Sequence, residues 1–254
     1  MPVIIKDSDE IRRMRKANAL LATVLSQLAG MVRPGISTMD INRAGENMIR
    51  KLGAVPGFLH YDGYPASVCV SVNDEVVHGI PSQNRILQEG DLVSLDTGLI
   101  YEGVYSDAAR TCPVGRISPE CRRLMDLTRE AFFCGMKMAR AGNHLYDISA
   151  AIGAFAEKNG LGIVRDLAGH GIGADMHEDP QIPNFDPQER GILLVPGMTL
   201  AVEPMLTLGD GRVITRDDGW TVATADGSMA AHYENTILIT RGDPEILSLL
   251  EGGG

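Results

Sequence analysis

Apolar residues recur at helical spacing from about Ser8 to Met31 and predict one long helix there. A shorter helix is expected after Pro34-Gly35, over 42–52. Short apolar runs then predict strands at 67–72 and 92–97, with a return strand near 104–113. Helices recur over 120–140 and 148–159, followed by strands at 200–204, 219–223 and 233–240. Helices interleaved with mostly antiparallel strands indicate an α+β domain with a curved sheet. No stretch reads as a linker, so 1–254 is taken as a single domain.

That pattern repeats. The segment Met31-Val-Arg-Pro-Gly-Ile-Ser-Thr-Met-Asp40-Ile41 aligns with Met138-Ala-Arg-Ala-Gly-Asn-His-Leu-Tyr-Asp147-Ile148, an offset of 107 residues. Both following helices stop at a glycine, Gly53 and Gly160, as a helix C-terminal cap requires. At the same offset Gly90-Asp-Leu-Val-Ser-Leu-Asp96 matches Gly197-Met-Thr-Leu-Ala-Val-Glu203. A period this long means duplicated half-domains, roughly 12–115 and 120–242, rather than a solenoid. Two related halves bring Asp96 and Glu203 to equivalent places beside a pseudo-two-fold axis.

Composition narrows the function classes. The chain is 44% hydrophobic, ordinary for a packed globular core, and no apolar run approaches the roughly 20 residues of a membrane span. The N-terminus Met1-Pro2-Val3-Ile4-Ile5-Lys6 lacks the basic-then-apolar pattern of a secretory signal, so a cytoplasmic location is expected. Cys69, Cys112, Cys121 and Cys134 are scattered without zinc-type spacing and read as free thiols. A formal charge of −10 argues against a DNA-binding surface. The basic cluster at Arg12, Arg13, Arg15 and Lys16 reads as one solvated helix face.

The chemistry lies in acids at strand ends. Asp96 and Asp107 flank a segment that reads as a hairpin turning near Tyr101-Glu102, which sets them opposite or nearly so, within about 5 Å at Cβ. Two carboxylates that close repel unless a cation sits between them. His170 lies between glycines in Gly169-His170-Gly171-Ile172-Gly173, Glu203 precedes Pro204, and Glu234 stands at the mouth of an apolar strand. Four carboxylates and one imidazole suit Mn²⁺, Fe²⁺, Co²⁺ or Zn²⁺, and supply charge enough for two such ions. A pair of ions holds a bridging water whose lowered pKa lets it attack an amide carbonyl.

Gly169-His-Gly-Ile-Gly173, Glu203-Pro204, Tyr233-Glu234-Asn235, the Asp96/Asp107 hairpin and Val77-His78-Gly79-Ile80-Pro81 together resemble the type I methionine aminopeptidases, in order and over nearly the whole chain. The resemblance implies the pita-bread fold, two α/β halves about a pseudo-two-fold axis, and removal of initiator methionine from nascent proteins whose second residue is small. It implies that Asp107 and Glu234 bridge two metals, that Asp96 chelates one, and that His170 and Glu203 bind the other. Glu203 becomes the general base, His177 the donor to the carbonyl oxygen, and His78 a partner for the substrate backbone. The methionine pocket is then lined by Phe58, Tyr61, Tyr64, Cys69, Met176, His78 and Trp220, and His177 binds substrate as well. A monomer acting on peptide N-termini follows, with transient ribosome contact, for which the sparse basic residues around Arg212 and Arg216 offer little surface. The rivals are an enzyme of the same fold acting at Xaa-Pro bonds and a binding protein that keeps the fold without catalysis. Such binding proteins typically lose metal ligands, and this chain has all five.

Overall fold

The computed structural model of the chain describes residues 3–249; Met1 and Pro2, part of the stretch read for a secretory signal, lie outside them. Helix α1 (Ser8–Met31) starts where Asp7 accepts from the Asp9 and Glu10 amides while the Glu10 carboxylate accepts from the Asp7 amide. It buries Met14, Leu21, Val24, Leu25 and Leu28 along one face. The opposite face carries the basic cluster, with Arg12 paired to Asp9 and Arg15 to Glu245, solvated pairs that add little stability. Helix α2 (Thr38–Lys51) begins four residues before its expected start because Ser37 and Asp40 cap each other's backbone. A cap is a polar signal that hydrophobic periodicity does not report.

After α2 come β1 (Val55–Pro56), β2 (Cys69–Val72), β3 (Glu75–Val77) and the hairpin of β4 (Leu92–Tyr101) and β5 (Val104–Pro113). The hairpin turns at Glu102 and Gly103, one residue beyond the expected point, with φ of 49° and 76°. Two left-handed residues are the turn that matches strand twist in a two-residue loop.

Helix α3 (Pro119–Met136) opens on a Ser118 cap and ends short of the expected 140. Apolar residues continue past its end through a turn, so the pattern overruns the helix. Helix α4 (Leu145–Lys158) follows, then β6 (Gly162–Ile163), β7 (Ala168–Gly171), β8 (Glu178–Pro183), β9 (Thr199–Val202) and β10 (Met205–Thr207). The chain closes with β11 (Val213–Thr215), β12 (Val222–Thr224), β13 (Ala230–Leu238) and β14 (Glu245–Ile246). The strand expected over 219–223 starts later, because Asp218 accepts from the amides of Trp220 and Thr221 and from the Thr221 hydroxyl, holding Trp220 in a turn.

The repeat has a backbone counterpart. Helices α2 and α4 are both 14 residues long and start at Thr38 and Leu145, and β1 and β6 follow each at the same distance. Gly35 and Gly142, Gly53 and Gly160, and Gly90 and Gly197 pair at that offset, and all have positive φ. Only glycine adopts that conformation without strain.

The main sheet runs β1-β4-β5-β13-β9-β7-β8, every pairing antiparallel, with β2 on β4 and β10 and β14 on β13. Beside it lies a small sheet of β11, β12 and β3. Helix α1 packs on β4 and β5, burying Leu21 and Leu28 against Leu95 and Leu99; α3 packs on β13, burying Phe132 beside Tyr233 and Ile237. The elements before and after residue 115 meet where β5 pairs with β13, Glu234 opposite Ala109. Arg110 fastens that seam by donating to the Glu234 carbonyl and to Asn235 Oδ1, its guanidinium 4.4 Å from the Tyr233 ring centre. Among the described residues no helix is long and apolar enough to cross a membrane.

Candidate metal centre

Alternation along the strands sorts core from site. On β4, Val93, Leu95 and Leu99 enter the core beneath α1, which leaves Asp96 and Gly98 on the other face. On β13, Tyr233 and Ile237 enter the core beneath α3, which leaves His232 and Glu234 on that same site face. Because the turn pairs Tyr101 with Val104, Asp96 lies opposite Ala109 and Asp107 opposite Gly98. The two aspartates are therefore diagonal neighbours, about 7–8 Å apart at Cα, rather than directly facing. Ala109 is also opposite Glu234, so a single methyl group separates Asp96 from Glu234 across three strands.

From the other half, His170 on β7 pairs with Ala201 on β9, and Glu203 stands one residue past the end of β9. The glycines flanking His170, Gly169 and Gly171, lie in the extended strand β7. A Cβ on Gly169 would lie 2.4 Å from the Ala201 carbonyl oxygen, and one on Gly171 2.3 Å from that of Asp179, so close strand approach is what requires them.

The five residues converge. His170 Nε2 lies 3.9 Å from Asp107 Oδ2 and 3.7 Å from Glu203 Oε1. Its Nδ1 is 2.9 Å from the Gly171 carbonyl, to which it donates, leaving the Nε2 lone pair facing the carboxylates. Asp107, His170 and Glu234 each offer a ligand atom within 4.8 Å of the others, and Asp96, His232 and Glu234 do the same. Asp96 Oδ1, Asp107 Oδ1, Glu234 Oε1 and both His232 ring nitrogens are buried with no hydrogen-bond partner.

Burial pushes the Asp96 carboxyl up to about 7. Burial, then the charges of Asp96 and Glu203, drives Asp107 well above the carboxylate range; burial and Asp96 do so for Glu203, and burial with Asp107 and its neighbours for Glu234. Burial and His177 lower His170 to about 3, so its imidazole is neutral at any ordinary pH. Clustered acids that resist ionisation, orphaned oxygens and a neutral imidazole are the donor set a divalent cation completes.

A pH dependence follows. Without metal, the raised carboxylates give stability that is present below pH 4 and is lost as pH rises through about 7. Cation binding needs those same groups ionised. The rise in melting temperature on adding Co²⁺ or Mn²⁺ is therefore expected to grow from pH 5 to pH 8; calorimetry showing a constant increment would contradict it.

Above the cluster opens a cavity of about 300 Å³. Phe58, Tyr61, Tyr64, Cys69, His78, Met176, His177 and Trp220 all line it, together with the four acids, His170 and its neighbours Leu167 and Ala168. Gly98 shapes its floor, since a Cβ there would come within 2.9 Å of both Met176 and Phe58. Burial and Asp96 hold the Cys69 thiol protonated, and burial raises Tyr64, whose hydroxyl donates to the Gly79 carbonyl at 2.9 Å. His78 sits in left-handed backbone with φ of 59°, a strain that concentrates at functional positions. His177 Nδ1 is 3.0 Å from the Tyr61 hydroxyl and its ring is 4.4 Å from that of His170.

Two contributors escaped the sequence reading. His232 lines the cavity two residues before Glu234, and strand alternation alone would have placed it on the same face. Lys6 forms a buried ion pair with Glu178, whose Oε1 accepts from the Ala174 amide at 2.9 Å, holding the loop that presents Met176 and His177. No local pattern links residues so far apart in the chain. Lys6→Met leaves Glu178 buried without its cation and is expected to cost roughly 3–5 kcal/mol, read from the urea midpoint.

A metal-dependent peptidase is the class that this centre and cavity define, and the comparisons agree: residues 12–241 match the family model of metallopeptidase family M24. The chain belongs to that family. Within it the similarity is to the methionine aminopeptidases: that of Clostridium acetobutylicum is 49% identical over 98% of this chain and 100% of its own. The crystal structure of methionine aminopeptidase from Thermotoga maritima superposes with a TM-score of 0.96 at 42% identity, covering 98% of this chain and 100% of that one. A Xaa-Pro dipeptidase from Bacillus anthracis has a TM-score of 0.78 at 25% identity, over 96% of this chain and 61% of that one. The fold is accordingly the pita-bread fold expected from the sequence.

Proposed function

We propose that the protein removes N-terminal methionine from peptides, nascent chains with a small second residue in particular, using two divalent cations held by Asp96, Asp107, His170, Glu203 and Glu234. The observation that carries this is the convergence of three buried carboxylates, the partly buried Glu203 and a neutral imidazole beneath an apolar cavity. Glu234 belongs to both ligand groups, so it, with Asp107 beside it, would be shared by the two ions; Asp96 would hold one of them, and His170 and Glu203 the other. The ions supply Lewis-acid polarisation and a water made nucleophilic near neutral pH.

The chain's own groups do the rest. Glu203, whose carboxyl resists ionisation, takes the proton of the attacking water and returns it to the leaving nitrogen. With the Tyr61 hydroxyl donating to Nδ1, His177 carries its proton on Nε2 and donates it as a hydrogen bond to the carbonyl oxygen as charge develops there. His78, kept neutral by burial, hydrogen-bonds the substrate backbone beside the scissile amide. Phe58, Tyr64, Cys69, Met176 and Trp220 surround the methionine side chain, an apolar and polarizable lining that suits a thioether.

Metal-reconstituted protein is expected to release methionine from Met-Ala-Ser and to leave Met-Lys-Ser and Ala-Pro-Ser intact. Turnover of Ala-Pro-Ser would favour the Xaa-Pro reading of the shared fold, and no turnover of any peptide with metal bound would favour a binding protein.

A further inference from the structure

We infer that His232 is a ligand of this metal centre, its second imidazole, on the ion that Asp96 and Glu234 hold; the inference rests on the two-ion reading above. The residue is 1% exposed, yet neither ring nitrogen has a hydrogen-bond partner. A buried imidazole with nothing to bond carries an uncompensated desolvation cost, so a partner absent from the protein itself is required.

Position says what that partner is. His232 Nε2 lies 3.6 Å from Glu234 Oε2 and 3.9 Å from Glu203 Oε2. Those separations are too long for hydrogen bonds. They resemble the spacing of two ligands around one ion, roughly 3.4 Å when each bond is near 2.1 Å in a tetrahedral site. Asp96, His232 and Glu234 place one ligand atom each within 4.8 Å of the others, as Asp107, His170 and Glu234 do. Each ion thereby gains one imidazole, with Glu234 common to both groups.

The ring is aimed rather than free. The His232 amide donates to Thr111 Oγ1 at 2.8 Å, and the Thr111 hydroxyl lies 2.9 Å from the His232 carbonyl. Tyr233 anchors the next residue in the core on the opposite face. A nitrogen donor also shifts selectivity, since imidazole favours Co²⁺, Fe²⁺ and Zn²⁺ over the oxygen-seeking Mg²⁺ and Mn²⁺.

The test loads the metal-free, full-length chain with Co²⁺ in steps, following bound cobalt by equilibrium dialysis and ligated imidazoles by the hyperfine-shifted N–H lines in the proton spectrum. Wild-type protein at two cobalts is expected to show two such lines, one from His170 and one from His232. His232→Gln is expected to lose one line and to bind one of its two cobalts at least about tenfold more weakly, the lower end of what even an outer-shell change costs. A single line in the wild type overturns the inference whether or not the variant folds, while two cobalts bound per chain leave the two-ion reading standing. Fewer than two cobalts bound by the wild type would overturn that reading and this inference with it.

Discussion

Asp107→Asn is expected to abolish two-ion binding, leaving less than two cobalts per chain after dialysis and no measurable methionine release. Asp107 lies 3.9 Å from His170 and shares a ligand group with His170 and Glu234, so the amide removes a charged oxygen from that group. The loss in affinity should exceed the roughly 10–100-fold typical of outer-shell changes. A second readout separates this from simple misfolding. Without metal, the Asp107 carboxyl is held far above its ordinary range by burial and by the charges of Asp96 and Glu203. An amide of the same shape carries none of that repulsion, so the metal-free variant is expected to melt at or above the metal-free wild type at pH 8. A lower melting temperature would mean that the Asp107 carboxyl stabilises the metal-free fold.

His177→Ala is expected to give the opposite pattern: full metal content with crippled turnover. The ring touches Tyr61 and stacks edge-on to His170, but lies in neither group of ligand atoms. Removing a preorganised donor to a developing oxyanion typically costs roughly 10²–10³ in kcat. Tyr61→Phe should lower kcat less, because it releases the tautomer without removing the donor. Unchanged kcat in the alanine variant, measured at saturating Met-Ala-Ser, would rule out the role assigned to His177.

Much of this was legible in the chain, and the failures have physical causes. The 107-residue offset was readable because glycine is tied to left-handed backbone, so duplicated turns keep their glycines while the residues around them drift. Asp96 and Asp107 could be put on one face because alternation is strict within a hairpin. Their diagonal offset depended on whether the turn used Tyr101-Glu102 or Glu102-Gly103, a one-residue choice that apolar patterning does not make. The starts of α2 and α4 were misplaced because their caps, Ser37 with Asp40 and Asp147 with the His144 backbone, are polar and local. The cavity residues Phe58, Tyr64, Met176 and Trp220 look like core one by one; only the resemblance to a family grouped them. His232 was within reach, two residues from Glu234. Lys6 was not, because its partner Glu178 is 172 residues away.

The pairing of β5 with β13 has a mechanical meaning. Asp96 and Asp107 come from one side of that seam, and His170, Glu203 and Glu234 from the other. On the proposed function, ions gripped by all five would act as removable rivets between the two halves of the chain, beside the β5–β13 pairing, one of two strand pairings that join them among the described residues, the other being β3 with β12. Chelation should then loosen the joint before either half melts. Hydrogen exchange at Ala108 and Asn235 would quicken first, while the cores beneath α1 and α3 stay protected.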